Sequence, residues 1–125
     1  MIVAGFGFRS GATAESLQAA LILAQAGRPD VAALAAPADK IAPLGILGER
    51  LGLPVLPIAP AALRDATTAT RSAASLAARD TGSVAEAAAL AGAGAGTGGG
   101  ARLIAYRRIS PDRMATCAIA EGSTP

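Results

Sequence analysis

Ile2 to Thr13, IVAGFGFRSGAT, is the stretch of sequence that decides the fold. Its first part, Ile2–Phe8, is a short apolar run with glycines, which is typical of a buried strand in a parallel sheet. Arg9–Thr13 then predicts a turn into a helix, with Thr13 as the N-cap. A glycine-rich turn of this kind leaves backbone N–H groups exposed at the positive end of the helix, where an anion can bind.

The same turn does not fit the dinucleotide-binding fingerprint G-x-G-x-x-G. Ser10 stands where the third glycine is required, and a glycine follows one position later, at Gly11. Ala35–Pro37 occupy the end of the next predicted strand, so no acidic residue is in place to bind a ribose. Two interpretations of the turn remain. Its glycines only permit a tight turn, or they form an anion site to which Arg9 adds a guanidinium.

Helical and strand patterns alternate along the rest of the chain. A first helix is expected to end near Gly27. Further strands are predicted over Val31–Ala36 and Val55–Ile58, and further helices over Asp39–Leu51 (with Pro43 and Gly45 weakening its start), Pro60–Thr67, Thr70–Arg79 and a segment from Ser83 to about Gly92. Strand patterns at Arg102–Arg107 and Met114–Ala120 flank a turn at Ser110–Asp112, which predicts an antiparallel hairpin. The order predicts a single three-layer α/β/α domain over residues 1–125, with a mixed, mostly parallel sheet that ends in the hairpin.

Two features precede the hairpin. Ser83-Val84-Ala85-Glu86 has the pattern of a capping box, in which the serine and glutamate side chains satisfy backbone donors at a helix start. Ser83 and Glu86 therefore either cap the helix or contribute to a ligand site beside it. Residues 93–101 are glycine-rich and predict a flexible connector, with a lid over a site as the alternative.

The composition excludes several kinds of site. The sequence has no histidine and one cysteine, Cys117, which excludes a Ser-His-Asp triad, an internal disulfide and a thiolate zinc cage. Cys117 lies among apolar strand residues and is expected to be a buried small apolar side chain. The net charge of +2 does not indicate a nucleic-acid or membrane partner. We expect a cytoplasmic protein, since no apolar run could span a bilayer and Met1–Phe8 lacks a signal-peptide pattern. We also expect neither a metal nor a cofactor.

Three segments resemble the CobE family of cobalamin biosynthesis, which is related to the C-terminal domain of CbiG. They are VAGFGFRSGAT at Val3–Thr13, GSVAEAAAL at Gly82–Leu90 and AIA at Ala118–Ala120. Their order and spacing agree with the family over essentially the whole chain. The chain departs from the family near Phe8, where a cysteine is usual, and at Pro43, where the family's Lys-x-x-Glu pairing would place a glutamate.

The resemblance implies a role in building the corrin ring. Family members stand alone or form the C-terminal part of CbiG, a hydrolase that opens a ring lactone. A chain without the N-terminal part of that enzyme is expected to bind, channel or protect a precorrin-type intermediate, a flat apolar ring fringed with carboxylates. The alternatives are an enzyme acting on such an intermediate and a structural or oligomerising subunit. Expected partners are the intermediate, other cobalamin-biosynthesis enzymes and a second copy of the chain.

The residues expected to bind this ligand lie at the first turn, at the second helix start and on the hairpin. For Arg9, the alternative to a role in binding is that of a turn residue exposed to solvent. For Asp39 and Lys40, the alternative is that they only start a helix. Arg107 and Arg108 alternate on a strand, so one of them should face outward. The full candidate set is Gly5, Gly7, Arg9, Ser10, Gly11, Thr13, Asp39, Lys40, Gly82, Ser83, Glu86 and Arg107.

Overall fold

A computed structural model describes residues 1–63, 81–94 and 101–122. Within these residues, five strands form one sheet in the order β3-β2-β1-β5-β4, so β1 lies at its centre. The strands are β1 (Ile2–Phe8), β2 (Ala33–Pro37), β3 (Val55–Ile58), β4 (Arg102–Ile109) and β5 (Ala115–Glu121). The helices are α1 (Ala14–Gln25), α2 (Ala42–Leu51) and α3 (Thr81–Gly94), and a 3-10 turn spans Ala38–Lys40.

Strand pairing changes direction at β1. The pairs β1–β2 and β2–β3 are parallel, whereas β1–β5 and β5–β4 are antiparallel. The predicted mixed sheet with an antiparallel hairpin is confirmed, with parallel pairs making up half of the sheet rather than most of it. Phe8, the last residue of β1, pairs with Ala115, the first residue of β5. The turn of the hairpin therefore lies beside the end of the central strand.

Helices cover both faces of the sheet, which gives the three layers predicted from the sequence. Successive side chains of a strand point to opposite faces. In β1, Phe6 joins the hydrophobic cluster under α1 and α2, whereas Val3 joins the cluster under α3. Leu34 and Ala35 divide β2 in the same way. The core thus consists of two layers separated by the sheet.

α3 approaches the sheet closely because glycine and alanine face it. A Cβ atom at Gly5 would collide with the backbone of Ala85 and Ala89. Gly5 therefore permits contact between the backbones of β1 and α3. This contact places the first turn of α3 beside the end of β1.

Local signals in the sequence are confirmed at several boundaries. β1 and β3 have the predicted limits. The Thr13 side chain caps α1 by accepting a hydrogen bond from the Ser16 N–H at 3.2 Å. The hairpin turn closes with a hydrogen bond of 2.8 Å from the Arg113 N–H to the Ser110 carbonyl. The structure thus confirms the first strand-to-helix turn and the hairpin.

Other boundaries differ from those predicted. β2 runs from Ala33 to Pro37 rather than from Val31 to Ala36. Just before it, the Ala32 N–H donates to the Ile2 carbonyl of β1 at 2.7 Å. The segment from Asp39 is split into the 3-10 turn and α2, with Pro43 in the first turn of α2. The helix predicted from Pro60 is described only for residues 60–63, which are helical. Its remainder, the Thr70–Arg79 helix and residues 95–100 of the glycine-rich segment lie outside the described residues.

The capping-box prediction is wrong. α3 begins at Thr81, so Ser83 lies inside the helix and is not its N-cap. α3 also continues through Ala93 and Gly94, two residues of the segment that was predicted to be a flexible connector. No helix in the described part of the chain is both long and apolar enough to cross a membrane.

Candidate functional site

Three neighbouring clefts lie at the carboxyl ends of β1 and β2, and Phe8 lines all of them. The hairpin cleft, about 150 Å³, is lined by Gly7, Phe8, Arg9, Ile109, Arg113, Met114, Ala115 and Thr116. The central cleft, about 250 Å³, is lined by Gly7, Phe8, Pro37, Asp39, Lys40, Leu63 and Val84. The loop cleft, about 280 Å³, is lined by Phe8, Arg9, Ser10, Gly11, Ala12, Asp39, Lys40, Ala42 and Pro43. We refer to the three clefts together as the groove.

The topology of the sheet explains the place of the groove. In open α/β sheets, ligands bind outside the carboxyl ends of the strands, where connections leave in different directions. Here the chain leaves β1 toward α1 and leaves β2 toward the 3-10 turn. The hairpin turn closes the third side, because β5 runs antiparallel to β1.

Positive side chains predominate around the groove. Arg9, Lys40 and Arg113 are exposed, and Asp39 is the carboxylate that lines the groove with them. Within the described residues, the ion pairs are Arg50–Glu15 and Arg102–Glu121, neither of which involves the groove. No carboxylate of the described residues forms an ion pair with these three cations.

A hydrogen-bond network clamps the hairpin turn onto the start of α1. The Asp112 carboxylate accepts hydrogen bonds from the hydroxyl groups of Ser110 and Ser16 and from the Met114 N–H. These hydrogen bonds, that from Ser110 first, hold the pKa of Asp112 below its ordinary value. The Arg9 N–H donates to the Met114 carbonyl at 2.9 Å. The wall of the hairpin cleft is therefore fixed by bonds to both α1 and β1.

Half of the predicted site residues come together at the groove. These are Gly7, Arg9, Ser10, Gly11, Asp39 and Lys40. Thr13 lies just beyond them, where it caps α1. Gly82 and Ser83 lie in the first turn of α3, whose residue Val84 lines the central cleft.

Gly5, Glu86 and Arg107 are not among the residues that line the three clefts. Gly5 is buried beneath α3. The Glu86 side chain is 4% exposed, and its Oε2 accepts a hydrogen bond of 3.3 Å from the Arg107 N–H. This contact lies at an irregularity of the β4–β5 ladder between Ala105 and Arg108. Glu86 thereby ties α3 to β4 instead of capping its own helix.

Two further predictions on single residues are confirmed. Arg107 is half-buried and Arg108 is exposed, as their alternation on a strand requires. Cys117 is fully buried, and burial raises the pKa of its thiol far above the usual range. Cys117 is therefore a neutral side chain of the core.

Several groove residues were not predicted from the sequence. Arg113 and Met114 follow the recognised hairpin turn, but their place beside Arg9 depends on the pairing of β5 with β1. Leu63 and Val84 carry no local signal of a site, because both are ordinary apolar residues of helices. An antiparallel partner for β1 was the one assumption that would have found Arg113.

The fold and the groove define an α/β protein with a positively charged site at the carboxyl edge of a mixed sheet. Residues 2–120 match the family model described as the C-terminus of cobalamin synthesis protein G. The chain belongs to this family and is a protein of the cobalamin biosynthesis pathway, as the resemblance implied.

Two solved structures are similar to this chain over nearly its full length. CobE, a protein from the cobalamin (vitamin B12) biosynthetic pathway, shares 38% sequence identity over 100% of this chain and 92% of its own, with a TM-score of 0.80. The cobalamin biosynthesis protein chiG from Agrobacterium tumefaciens strain C58 shares 38% identity over 99% of this chain and 100% of its own, with a TM-score of 0.76. Among curated protein sequences, none matches the chain.

Proposed function

We propose that the protein binds a precorrin-type intermediate of the cobalamin pathway at the groove and holds it for other enzymes of the pathway, in the cytoplasm. The observation that carries the proposal is the pairing of exposed cations with apolar walls at one edge of the sheet. Arg9, Lys40 and Arg113 line the groove together with Phe8 and Leu63. A ring with an apolar face and a fringe of carboxylates matches both kinds of surface.

The size of the clefts determines how such a ligand would lie. Pockets that enclose a whole drug-sized ligand have volumes of roughly 300–1,000 Å³, whereas the largest of these clefts measures about 280 Å³. A macrocycle would therefore lie across the mouth of the groove, with single carboxylate arms entering the clefts. The ring would rest against Phe8, which all three clefts share.

Helix starts add to the positive potential of the groove. α1 begins directly after the Arg9–Thr13 turn, and the first turn of α3 reaches the central cleft through Val84. The first N–H groups of a helix carry partial positive charge, which favours an anion nearby. Both helix starts support carboxylate binding without adding a titratable group.

The groups that line the groove suit binding better than catalysis. General acid–base chemistry requires a proton donor or acceptor within reach of the reacting atom. Asp39 is the carboxylate among the lining residues of the three clefts, and the sequence contains no histidine. Asp112, beside the groove, already accepts three hydrogen bonds from the hairpin and α1. This arrangement supports a carrier of the intermediate.

A titration with a corrin heptacarboxylic acid, cobyrinic acid, tests the proposal. We expect a stoichiometric change in the visible absorption spectrum. Arg9→Ala should weaken binding about tenfold, because a charge-assisted hydrogen bond is lost. Its melting temperature should stay within about 3 °C of the wild-type value, since the Arg9 side chain is exposed. Arg102→Ala is the matched control, because Arg102 is an exposed arginine at the opposite end of the sheet.

Other outcomes contradict the proposal in distinct ways. Unchanged affinity in Arg9→Ala places the ligand elsewhere on the protein. Progressive conversion of a pathway intermediate by catalytic amounts of protein indicates an enzyme. An unchanged spectrum together with concentration-dependent light scattering indicates a structural subunit that self-associates.

A further inference from the structure

Arg113 has an unusual backbone conformation at the rim of the hairpin cleft. Its φ is 62°, and it is the one non-glycine residue with positive φ in the described part of the chain. A bulky side chain rarely adopts this left-handed conformation, and glycine or asparagine is the usual choice in such a turn. A left-handed arginine at the rim of a cleft is a backbone outlier of the kind that is retained at functional sites.

The surrounding bonds fix the conformation of this turn. The Arg113 N–H donates to the Ser110 carbonyl at 2.8 Å, and the Ser110 N–H donates to the Ala115 carbonyl at 2.8 Å. Asp112, the residue before Arg113, is bonded to Ser16 of α1. Arg113 is therefore carried by a turn that is anchored on both sides.

Arg9 lines the same cleft as Arg113. Its backbone is bonded to the hairpin through the Met114 carbonyl, so the two arginines are held next to one cleft of about 150 Å³. No acidic side chain in the described residues forms an ion pair with either of them. Two like charges beside one small cleft repel each other, and an anion between them removes that repulsion.

We propose that Arg9 and Arg113 form a carboxylate-binding subsite in the hairpin cleft, in which Arg113 is the specificity-determining residue. The subsite receives one carboxylate arm of the ligand, because its volume admits an arm and excludes a ring. A guanidinium matches a carboxylate through two parallel hydrogen bonds, so an amidated or esterified arm is discriminated against. The identity of the whole ligand rests on the proposed function, whereas the subsite itself requires only a carboxylate.

Two substitutions separate binding from structure. Arg113→Gln removes the charge. Arg113→Gly removes the charge and also the steric cost of holding a bulky residue in the left-handed conformation. We expect both to weaken binding of cobyrinic acid and of the small tricarboxylate tricarballylate by about tenfold. The heptamethyl ester of cobyrinic acid should bind wild-type protein and both variants equally. Arg102→Gln removes the same charge from the same hairpin and should change affinity less than about twofold.

Melting temperature supplies the readout that a structural role would not produce. Arg113→Gly should melt at or above the wild-type temperature while its affinity falls, because glycine adopts positive φ without strain. A joint fall in melting temperature and affinity would assign Arg113 to the fold and overturn the subsite. Equal affinities in Arg113→Gln and Arg102→Gln would overturn it as well.

The two probes distinguish this proposal from the function on which it rests. If cobyrinic acid binds wild-type protein and Arg113→Gln equally, the proposed function stands and the subsite fails. If tricarballylate binding depends on Arg113 while cobyrinic acid does not bind, the subsite stands and the proposed ligand is wrong. If neither probe binds, both proposals fail.

Discussion

The two faces of the sheet are packed in opposite ways, although the same strands supply both. Under α1 and α2 the core contains large side chains, among them Phe6, Leu17, Leu34, Leu44 and Leu47. Under α3 it consists mainly of alanines, with Val3 and Ile58 as its larger buried members. Gly5 and Phe6 are neighbours in β1, yet one allows a helix backbone to touch the strand and the other fills a gap between layers.

The comparison shows that each face has its own weakness. Large side chains leave a cavity when they are shortened, whereas a contact between backbones has no room for an added atom. The distance between α3 and β1 also determines where Val84 lies in the central cleft. Packing under α3 is therefore linked to the width of the groove.

Gly5→Ala should cause the largest loss of stability. Its Cβ would collide with the backbone of Ala85 and Ala89, which cannot rotate away as a side chain can. We expect the free energy of unfolding to fall by about 3 kcal/mol, measured by urea denaturation. Gly45→Ala is the matched control, because a Cβ there meets no atom within 4 Å. Since Gly45 lies in α2, its substitution should stabilise the protein by about 0.5–1 kcal/mol.

Equal effects of the two glycine substitutions would contradict the difference between the faces. If Gly5→Ala remains folded, its affinity for cobyrinic acid should also decrease, because α3 must move away from β1. A destabilised variant with wild-type affinity would show that the position of α3 does not influence the groove.

Much of the fold could be predicted because its signals are local. The apolar run of β1 is read from adjacent residues, as is the Thr13 cap that follows it. The Ser110–Asp112 turn likewise predicts a hairpin wherever that hairpin lies in the sheet. The left-handed conformation of Arg113 and the position of Met114 against Gly11 are not encoded in this way.

The part of the site that was missed depends on contacts between distant residues. Ser16 and Asp112 are separated by 96 positions in the sequence, and Thr116 and Gly7 by 109. Such contacts follow only from the insertion of β5 beside β1, which no single segment specifies. The failed capping box has the same cause. Ser83 and Glu86 satisfy the local pattern, but Glu86 is used by β4, which comes later in the chain.

A carboxylate ties a helix to the hairpin on each face of the sheet. On the α3 face Glu86 is buried and accepts from the Arg107 N–H. On the other face Asp112 is exposed and accepts from the Ser16 hydroxyl of α1. Because water competes for an exposed group, we expect the buried tie to contribute more to stability.

Glu86→Ala should lower the free energy of unfolding by about 2 kcal/mol, because the Arg107 N–H loses its acceptor. Glu86→Gln retains a side-chain oxygen and should lose less than half as much. Glu49→Ala removes an exposed carboxylate from α2 and should change stability by no more than about 0.5 kcal/mol. Urea denaturation of the three variants measures the differences. If Glu86→Ala loses no more stability than Glu49→Ala, the hydrogen bond from the Arg107 N–H to Glu86 does not contribute to stability as proposed.

Asp112→Asn should have the smallest effect on stability, and this effect should depend on pH. The pKa of Asp112 is lowered in the folded protein from its ordinary value of 3.8, first by the Ser110 hydroxyl and then by that of Ser16. The ionised carboxylate therefore stabilises the fold above its unfolded pKa, and this contribution is lost as the pH falls through the folded pKa. Wild-type protein should melt above Asp112→Asn at pH 6, and the two melting temperatures should converge as the pH falls below 3.8 and through the lowered pKa of the folded state.

The difference between the two proteins isolates Asp112, because every other carboxylate is common to both. Ser16→Ala removes one of the two hydroxyl donors. In proteins that carry Ser16→Ala, the melting-temperature difference between Asp112 and Asp112→Asn should therefore change less with pH. A melting-temperature difference that stays constant from about pH 2 to pH 7 would contradict a charge-dependent tie. The hairpin would then be held against α1 by neutral hydrogen bonds and packing alone, and the position of Arg113 would not depend on the ionisation of Asp112.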